Sequence, residues 1–153
     1  MFAIEVESGG LEAEISGGMS FAVGRITVNG FSETFEMPLG FWAASDYQIS
    51  WCNAFAVLEQ SENSTSCLMA SMLDPSTANF LFCWPLYRVG ERVCVQSSMI
   101  LLGELEFAFD PGRPWLSVAS HSAVDDDGNI ISEWVTSMKS LRDFFGIRCF
   151  EVL

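Results

Sequence analysis

The segment from Ser66 to Phe109 most constrains the fold of this chain, because it contains three short apolar runs separated by two tight-turn sequences. The runs are Cys67–Leu73, Asn79–Tyr87 and Val93–Leu102, and the breaks between them read DPST and RVGE. Proline at the second position of a turn and glycine near its close favour sharp reversals of the backbone. Short apolar runs between such turns predict an antiparallel meander.

The middle run of this meander predicts a central strand. Phe80 and Trp84 would lie on one face of the strand and Leu81 on the other. A strand that is apolar on both faces is usually covered above and below. Because Pro85 has no N–H to donate to a neighbouring strand, we also expect a bulge or a strand end at Trp84–Pro85.

The composition of the chain is sufficient for a sizeable hydrophobic core. Of 153 residues, 50% are hydrophobic, and 13 phenylalanines and 5 tryptophans are among them. This length predicts a single domain, 1–153. The apolar runs are shorter than the roughly 20 residues that span a bilayer, and the N-terminus MFAIEVES does not read as a secretory signal. We therefore expect no membrane partner.

Five cysteines, Cys52, Cys67, Cys83, Cys94 and Cys149, lie mostly within apolar runs. Their odd number and irregular spacing argue against a disulfide framework. We therefore expect five buried thiols in a reducing compartment such as the cytoplasm.

The formal charge of −13 is the unusual feature of the composition. It disfavours nucleic acid and anionic membranes as partners and favours a basic protein. The alternative interpretation is that the charge simply keeps a small, apolar protein soluble.

The rest of the chain predicts further strands and two helices. Asn29-Gly30 is typical of a type I′ hairpin, and Ser45 to Gln48 matches a capping box opening a helix that ends near Gln60. Ser140 would cap a short helix that Gly146 stops. The predicted strands are Phe2–Val6, Leu11–Ile15, Phe21–Val28, Phe31–Met37, Trp115–Val124, Ile130–Met138 and Arg148–Leu153. The predicted fold class is α+β: a mostly antiparallel β-sheet with one amphipathic helix packed on it and a short C-terminal helix.

The residue patterns predict no catalytic, cofactor or metal site. His121 is the single histidine, and no nucleophile-elbow pattern surrounds a serine or cysteine. The cysteines form no CxxC or CxH pair, and no glycine-rich phosphate loop is present. The run DDDGN fails as a calcium loop, because with Gly128 at its sixth position the first and twelfth would be Ala123 and Trp134. We interpret it as a hairpin turn with a charged tip.

Paired acids leave one enzymatic alternative open. Glu104 and Glu106 would share a face of an extended segment, as would Glu5 with Glu7 and Glu12 with Glu14. Such pairs could perform general acid–base catalysis in a small acidic hydrolase. Solvated strand faces carry the same pattern more often. The hydrolase predicts a concave site with carboxyl groups of raised pKa.

The meander and the residues after it resemble the immunity proteins of bacterial contact-dependent growth inhibition systems. The matching features are DP-x₃-NF, WP-x-YR, FDP and the ending G-x-x-ISEW-x-x-S-x-x-x-L-x-x-FF, which together span about residues 66–146. The resemblance implies a cytoplasmic protein that binds and neutralises the C-terminal toxin domain of its cognate exported protein, commonly a basic nuclease. It implies that toxin and immunity protein pair one to one, and the lack of a catalytic pattern fits an inhibitor that is not an enzyme. The sequence leaves the oligomeric state open, and we expect a monomer in a 1:1 complex.

The acids near the later hairpins, with two aromatic residues, are the candidate toxin contacts, because acids could stand in for phosphates and aromatics often carry interface energy. They are Glu104, Glu106, Asp125, Asp126, Asp127, Glu133, Trp134 and Tyr87. Ordinary loop charges and core aromatics are the alternative interpretation of these residues. A general protein-interaction domain that binds several proteins weakly remains a further alternative for the whole chain.

Overall fold

The structure is a computed structural model that describes residues 1–7, 13–14 and 20–152. Within these residues the chain forms two antiparallel β-sheets and two α-helices. The predicted α+β class is therefore confirmed, with the strands divided between two sheets. No helix in this part of the chain is long and apolar enough to cross a membrane.

The first sheet is built around β3, which pairs with every other strand of that sheet. The Asn29-Gly30 turn joins β3 to β4 as predicted, but only Asn29 has a positive φ, of 53°, whereas a type I′ turn needs one at both residues. The predicted strand Leu11–Ile15 is described only at β2, and its other residues lie outside the described ones. The strands are β1 (Phe2–Val6), β2 (Ala13–Glu14), β3 (Ser20–Val28) and β4 (Phe31–Pro38).

Helix α1 (Ala44–Glu59) begins one residue before the predicted cap, so the assignment of Ser45 as the N-cap is wrong. The Asp46 carboxylate instead accepts a hydrogen bond from the Ala43 backbone N–H at 2.8 Å. An acid in the first turn also complements the helix dipole. The helix buries Tyr47, whose hydroxyl donates to the Pro38 carbonyl and accepts from the Met72 N–H.

The second sheet has β6 at its centre, as predicted. β5 pairs with one edge of β6, while β7 and β8 share the other edge end to end, and β9 pairs with β7. The third apolar run is thus two strands separated by Ser97. The strands are β5 (Thr65–Ser71), β6 (Phe80–Val89), β7 (Arg92–Gln96), β8 (Ser98–Leu101) and β9 (Glu133–Ser137).

Pro85 lies within the central strand without a bulge beside it, which corrects the expectation at Trp84–Pro85. Arg88 and Phe82 donate their backbone N–H groups toward β5, so the odd-numbered Pro85 directs its nitrogen to the opposite edge. That edge is unpaired at Pro85, because pairing with β7 starts at Leu86 and pairing with β8 ends at Cys83. The irregularity in the ladder lies in β5 instead, between Met69 and Ser71.

The region after the meander departs most from the prediction. The predicted strand Trp115–Val124 begins in a 3-10 turn at Pro114–Ser117 and continues as loop, and only Glu133–Ser137 of the next predicted strand is β-sheet. Helix α2 (Met138–Val152) runs through Gly146, so the predicted strand Arg148–Leu153 is wrong across its described residues. Ser137, rather than Ser140, caps this helix: its Oγ accepts from the Ser140 N–H at 3.1 Å.

Tertiary packing explains why α2 continues past its glycine. Phe145 stacks on Phe55 of α1 with ring centroids 4.9 Å apart, and Phe144 lies edge-on to Phe2 of β1. A glycine inside a helix costs only about 1 kcal/mol, which this aromatic packing exceeds.

A disulfide bond joins the two helices between Cys52 and Cys149, with Cα atoms 5.4 Å apart. The expectation of five free thiols is therefore wrong. Cys67, Cys83 and Cys94 are free and buried, as predicted for them.

Candidate functional site

A groove with a volume of about 580 Å³ lies on the outer face of the second sheet. Strands β6, β7 and β8 form its floor, and the loop between β8 and β9 forms its wall. We call it the acidic groove, because three carboxylates line it: Glu104, Asp125 and Asp126.

Two buried side chains of the sheet hold the wall of the acidic groove in place. The Tyr87 hydroxyl donates to the Ala119 carbonyl at 2.9 Å, and Gln96 Nε2 donates to the Ser122 carbonyl at 3.0 Å. Burial, more than the nearby thiols and Glu133, raises the pKa of Tyr87 to about 12, so its phenol stays a donor at neutral pH. The loop is therefore attached on both sides of His121.

Glu133 and His121 form a hydrogen-bonded pair beside the groove. His121 Nε2 lies 2.5 Å from Glu133 Oε1, and Gln96 Nε2 donates to the same oxygen at 3.0 Å. Burial alone would raise the pKa of Glu133, but these hydrogen bonds outweigh it and the pKa lies below its usual value. The Cys94 thiol is close to both groups, since one ligand atom from each of the three residues falls within 4.8 Å of the others.

The DDDGN segment forms the turn that its sequence predicted. Gly128 has a φ of 83°, and Val124 bridges to Ile130. The Asp125 carboxylate accepts from the N–H groups of Asp127 and Asn129, both at 2.9 Å. Asp125 therefore shapes the turn.

The fold brings some of the predicted contact residues together and separates others. Tyr87, Glu104, Asp125 and Asp126 line the acidic groove, and Asp127 is exposed at the same loop tip. Glu106 is exposed but is not part of the lining, and its segment is not the predicted strand that would pair it with Glu104.

The two remaining predicted contact residues do not line the acidic groove. Glu133 lies just beyond Gln96, to which it is hydrogen-bonded. Trp134 points into the space between the sheets and stacks on Phe31.

The bases of the chain leave the acidic groove unneutralised. Six of the seven lysines and arginines pair with acids elsewhere: Arg25, Arg88, Arg113, Lys139, Arg142 and Arg148. Among the described residues, none of these ion pairs includes Glu104, Asp125 or Asp126. Three carboxylates without an ion pair therefore lie together where a basic surface could approach.

A second groove, of about 400 Å³, lies between the sheets and is mainly apolar. Phe80 and Phe82 contribute side chains that are 40% and 46% exposed, and Glu33 and Glu36 also line it. Exposed aromatic residues in a concave surface are typical of protein interfaces.

Sequence reasoning missed the parts that Gln96 and His121 play at the groove. Gln96 is a polar residue within an apolar run, and a buried polar side chain needs hydrogen-bond partners. That requirement was the signal in the sequence that could have identified its role. His121 gave no such signal, because its partner Glu133 comes from another element.

Three described carboxyl groups have a pKa shifted downward, and none of the three belongs to the predicted acid pairs. Hydrogen bonds lower the pKa of Asp74 and of Asp110, and the pKa of Glu133 is lowered as described above. A general acid requires the opposite shift.

Comparisons with known proteins agree on one family. The family described as "CdiI N-terminal domain" matches residues 37–144. The Immunity protein CdiI of Enterobacter cloacae subsp. cloacae (strain ATCC 13047) is 37% identical over 121 residues, which cover 78% of this chain and 81% of that protein.

A solved structure extends the similarity to the whole fold. A chain in the CdiA-CT/CdiI toxin and immunity complex from Enterobacter cloacae superposes with a TM-score of 0.87 and 31% identity, covering 98% of this chain and 99% of the other. The family match and the sequence identity together lead to one conclusion: this chain belongs to the CdiI immunity protein family.

Proposed function

We propose that this chain is an immunity protein that binds the CdiA toxin domain encoded with it and neutralises that toxin. The observation that carries the proposal is the acidic groove: Glu104, Asp125 and Asp126 are gathered on one face and are free of the ion pairs that occupy the bases. The toxin would present a basic surface, as a nuclease does. Family membership supports the role, and the charge supports the class of toxin.

The protein acts by occupying the toxin and not by chemical turnover. A binder inhibits in proportion to its amount, whereas an enzyme that modified the toxin would inactivate many equivalents. Titrating the chain against a fixed amount of toxin should abolish toxicity at one equivalent. Full protection at one tenth of an equivalent would contradict this mechanism, and a 1:1 mass by native mass spectrometry supports it.

The contacts that we propose are the acids at the groove and its loop tip, with Tyr87 below them. Glu133, Glu106 and Trp134 complete the candidate set, and Trp134 would contribute through packing. Asp126 and Asp127 are better positions than Asp125 for a charge-reversal test. Replacing their side chains leaves intact the backbone hydrogen bonds that the Asp125 carboxylate accepts within the turn.

The decisive experiment measures toxin association by surface plasmon resonance at low and high salt. The Asp126→Lys/Asp127→Lys variant should lower the association rate by about tenfold or more at low salt, with a smaller difference at high salt. Each single variant, Asp126→Lys or Asp127→Lys, is matched in charge by Glu62→Lys, which alters an exposed acid of the α1–β5 loop that does not line the groove. An unchanged association rate in the loop variant would remove this loop from the interface.

The same experiment tests one alternative binding surface and one alternative class of partner. If Glu33→Lys/Glu36→Lys slows association more than the loop variant does, the interface is the apolar groove between the sheets. If the chain binds an unrelated basic protein of similar size as tightly as the toxin, the general interaction domain is the better description.

A further inference from the structure

Three side chains with different donor atoms meet beside the acidic groove. They are the Cys94 thiol, the His121 imidazole and the Glu133 carboxylate, and their ligand atoms all lie within 4.8 Å of one another. Each comes from a different part of the fold: β7, the first residue of β9, and the loop between β8 and β9, which we call the groove loop. A set containing one sulfur, one nitrogen and one oxygen ligand is the kind that Zn²⁺ accepts.

We propose that Cys94, His121 and Glu133 form a binding site for a divalent transition-metal ion of the zinc class. Three protein ligands leave a fourth tetrahedral position open, which water or a partner side chain can fill. Cys94 is buried in the sheet, whereas His121 and Glu133 are exposed, so an ion can enter from solvent. Calcium and magnesium are poor candidates, because both prefer sites made of oxygen ligands.

The ligands are held by the fold and do not meet by chance. Cys94 and Glu133 lie on adjacent paired strands, where Gln96 is directly opposite Glu133 in the register. The groove loop carries His121 between its two attachments, Ala119 to Tyr87 and Ser122 to Gln96. The Tyr87 ring also packs against the imidazole, with centroids 4.8 Å apart.

The surroundings of the three residues resemble those of known metal ligands. Gln96 donates to Glu133 Oε1, and outer hydrogen bonds of this kind orient ligands and are worth 10–100-fold in affinity. The short contact of His121 Nε2 with the same oxygen would open slightly to admit the ion. Burial raises the pKa of the Cys94 thiol and Arg92 partly opposes this effect, but a coordinated thiol is deprotonated outright.

A bound ion would join the groove loop to the sheet at a third point. Because the ion binds only the folded arrangement, it would raise the stability of the native state by mass action. It would also hold Asp125 and Asp126 in position on the rim of the groove. The site does not depend on the proposed toxin role, so it can be tested on the chain alone.

The test is a titration of the full chain with Co²⁺ followed by competition with Zn²⁺. One equivalent of Co²⁺ should give tetrahedral absorption bands and a thiolate-to-metal charge-transfer band, and Zn²⁺ should abolish them. Cys94→Ser should remove the charge-transfer band, and His121→Asn or Glu133→Gln should weaken binding by more than about tenfold. His121 and Glu133 are exposed, so these variants fold even if Cys94→Ser does not.

The control is Cys83→Ser, which removes another buried free thiol that is not one of the three proposed ligands and should bind Co²⁺ as the wild type does. Hydrogen exchange provides a second readout: Zn²⁺ should slow exchange of the backbone over residues 118–132 in the wild type but not in His121→Asn. The absence of a charge-transfer band in the wild type, or its persistence in Cys94→Ser, would overturn the proposal and leave His121 and Glu133 as a simple hydrogen-bonded pair.

Discussion

Phe31 stacks on Trp134 with ring centroids 3.9 Å apart and planes 15° apart, which joins the β3–β4 hairpin of the first sheet to β9 of the second. Beside this stack, Asn29 Nδ2 donates to the Val135 carbonyl at 2.6 Å. The two contacts connect the β3–β4 hairpin to β9. They give Trp134 a structural role whether or not it also supports toxin binding.

A double-mutant cycle on this stack should reveal coupling between the sheets. Phe31→Ala and Trp134→Ala should each destabilise the fold, and the pair should show a coupling of about 0.5–1.5 kcal/mol, because aromatic contacts contribute this much beyond area burial. Urea unfolding gives the free energies. The control cycle pairs Phe31 with the exposed Phe107 and should show no coupling; equal values in both cycles would mean that the stack contributes nothing specific.

Reduction of the Cys52–Cys149 bond should lower the free energy of unfolding by about 2–4 kcal/mol, because the bond closes a long loop in the unfolded chain. The two cysteines are 97 residues apart. Urea unfolding with and without reductant measures the change. The Cys52→Ser/Cys149→Ser variant is the control, since reductant should not alter its stability.

Thiol counting provides an independent check of that bond. Three thiols should react after unfolding without reductant, and five after reduction. Five reactive thiols in the unreduced protein would mean that the bond does not form in solution.

Gly24→Ala should destabilise the fold by about 1–3 kcal/mol, because an added methyl group overpacks a filled space. A Cβ at Gly24 would collide with the Phe35 ring and lie 2.8 Å from Met37 Sδ. Thermal or urea unfolding measures the loss. Gly40→Ala is the matched control, since a Cβ there meets open space, and it should change stability by less than about 0.5 kcal/mol.

The double variant Gly24→Ala/Phe35→Leu tests the stated cause. The smaller side chain should recover part of the stability lost in Gly24→Ala. If the stability losses of the single variants Gly24→Ala and Phe35→Leu simply add, the added methyl group acts through the backbone and not through the Phe35 ring.

Tyr87 should make the fold sensitive to alkaline pH. Its pKa is raised to about 12, above the unfolded value of about 10, so its contribution is present below pH 10 and lost as pH rises toward 12. The difference corresponds to about 2–3 kcal/mol. Tyr87→Phe should cost about 1 kcal/mol at pH 8 through the lost hydrogen bond to Ala119, and it should flatten the decline above pH 10.

Urea unfolding from pH 8 to pH 12 tests this, with the difference between wild type and variant as the readout. That difference should be constant below pH 9, shrink above pH 10 and change sign as the pH approaches 12. A constant difference across the whole range would mean that the Tyr87 phenol ionises as easily in the folded chain as in the unfolded one.

The sequence determined the features that depend on a few neighbouring residues. Asn29-Gly30 specified its hairpin because both residues tolerate the turn geometry, and Gly128 did the same for the DDDGN turn. The two apolar faces of Phe80–Val89 placed it at the centre of a sheet, because only a covered strand can bury both faces. These signals are local, and the tertiary structure preserved them.

The tertiary structure decided the features that depend on distant partners. Helix α2 passes Gly146 because Phe144 and Phe145 find aromatic partners on β1 and α1, and the same docking brings Cys149 to Cys52. The segment after Trp115 is not a strand, because Tyr87 and Gln96 bind its carbonyl groups and hold it as the wall of the groove. Contacts between residues far apart in the sequence have no local pattern, and for that reason the acidic groove and the Cys94, His121 and Glu133 cluster emerged only from the folded chain.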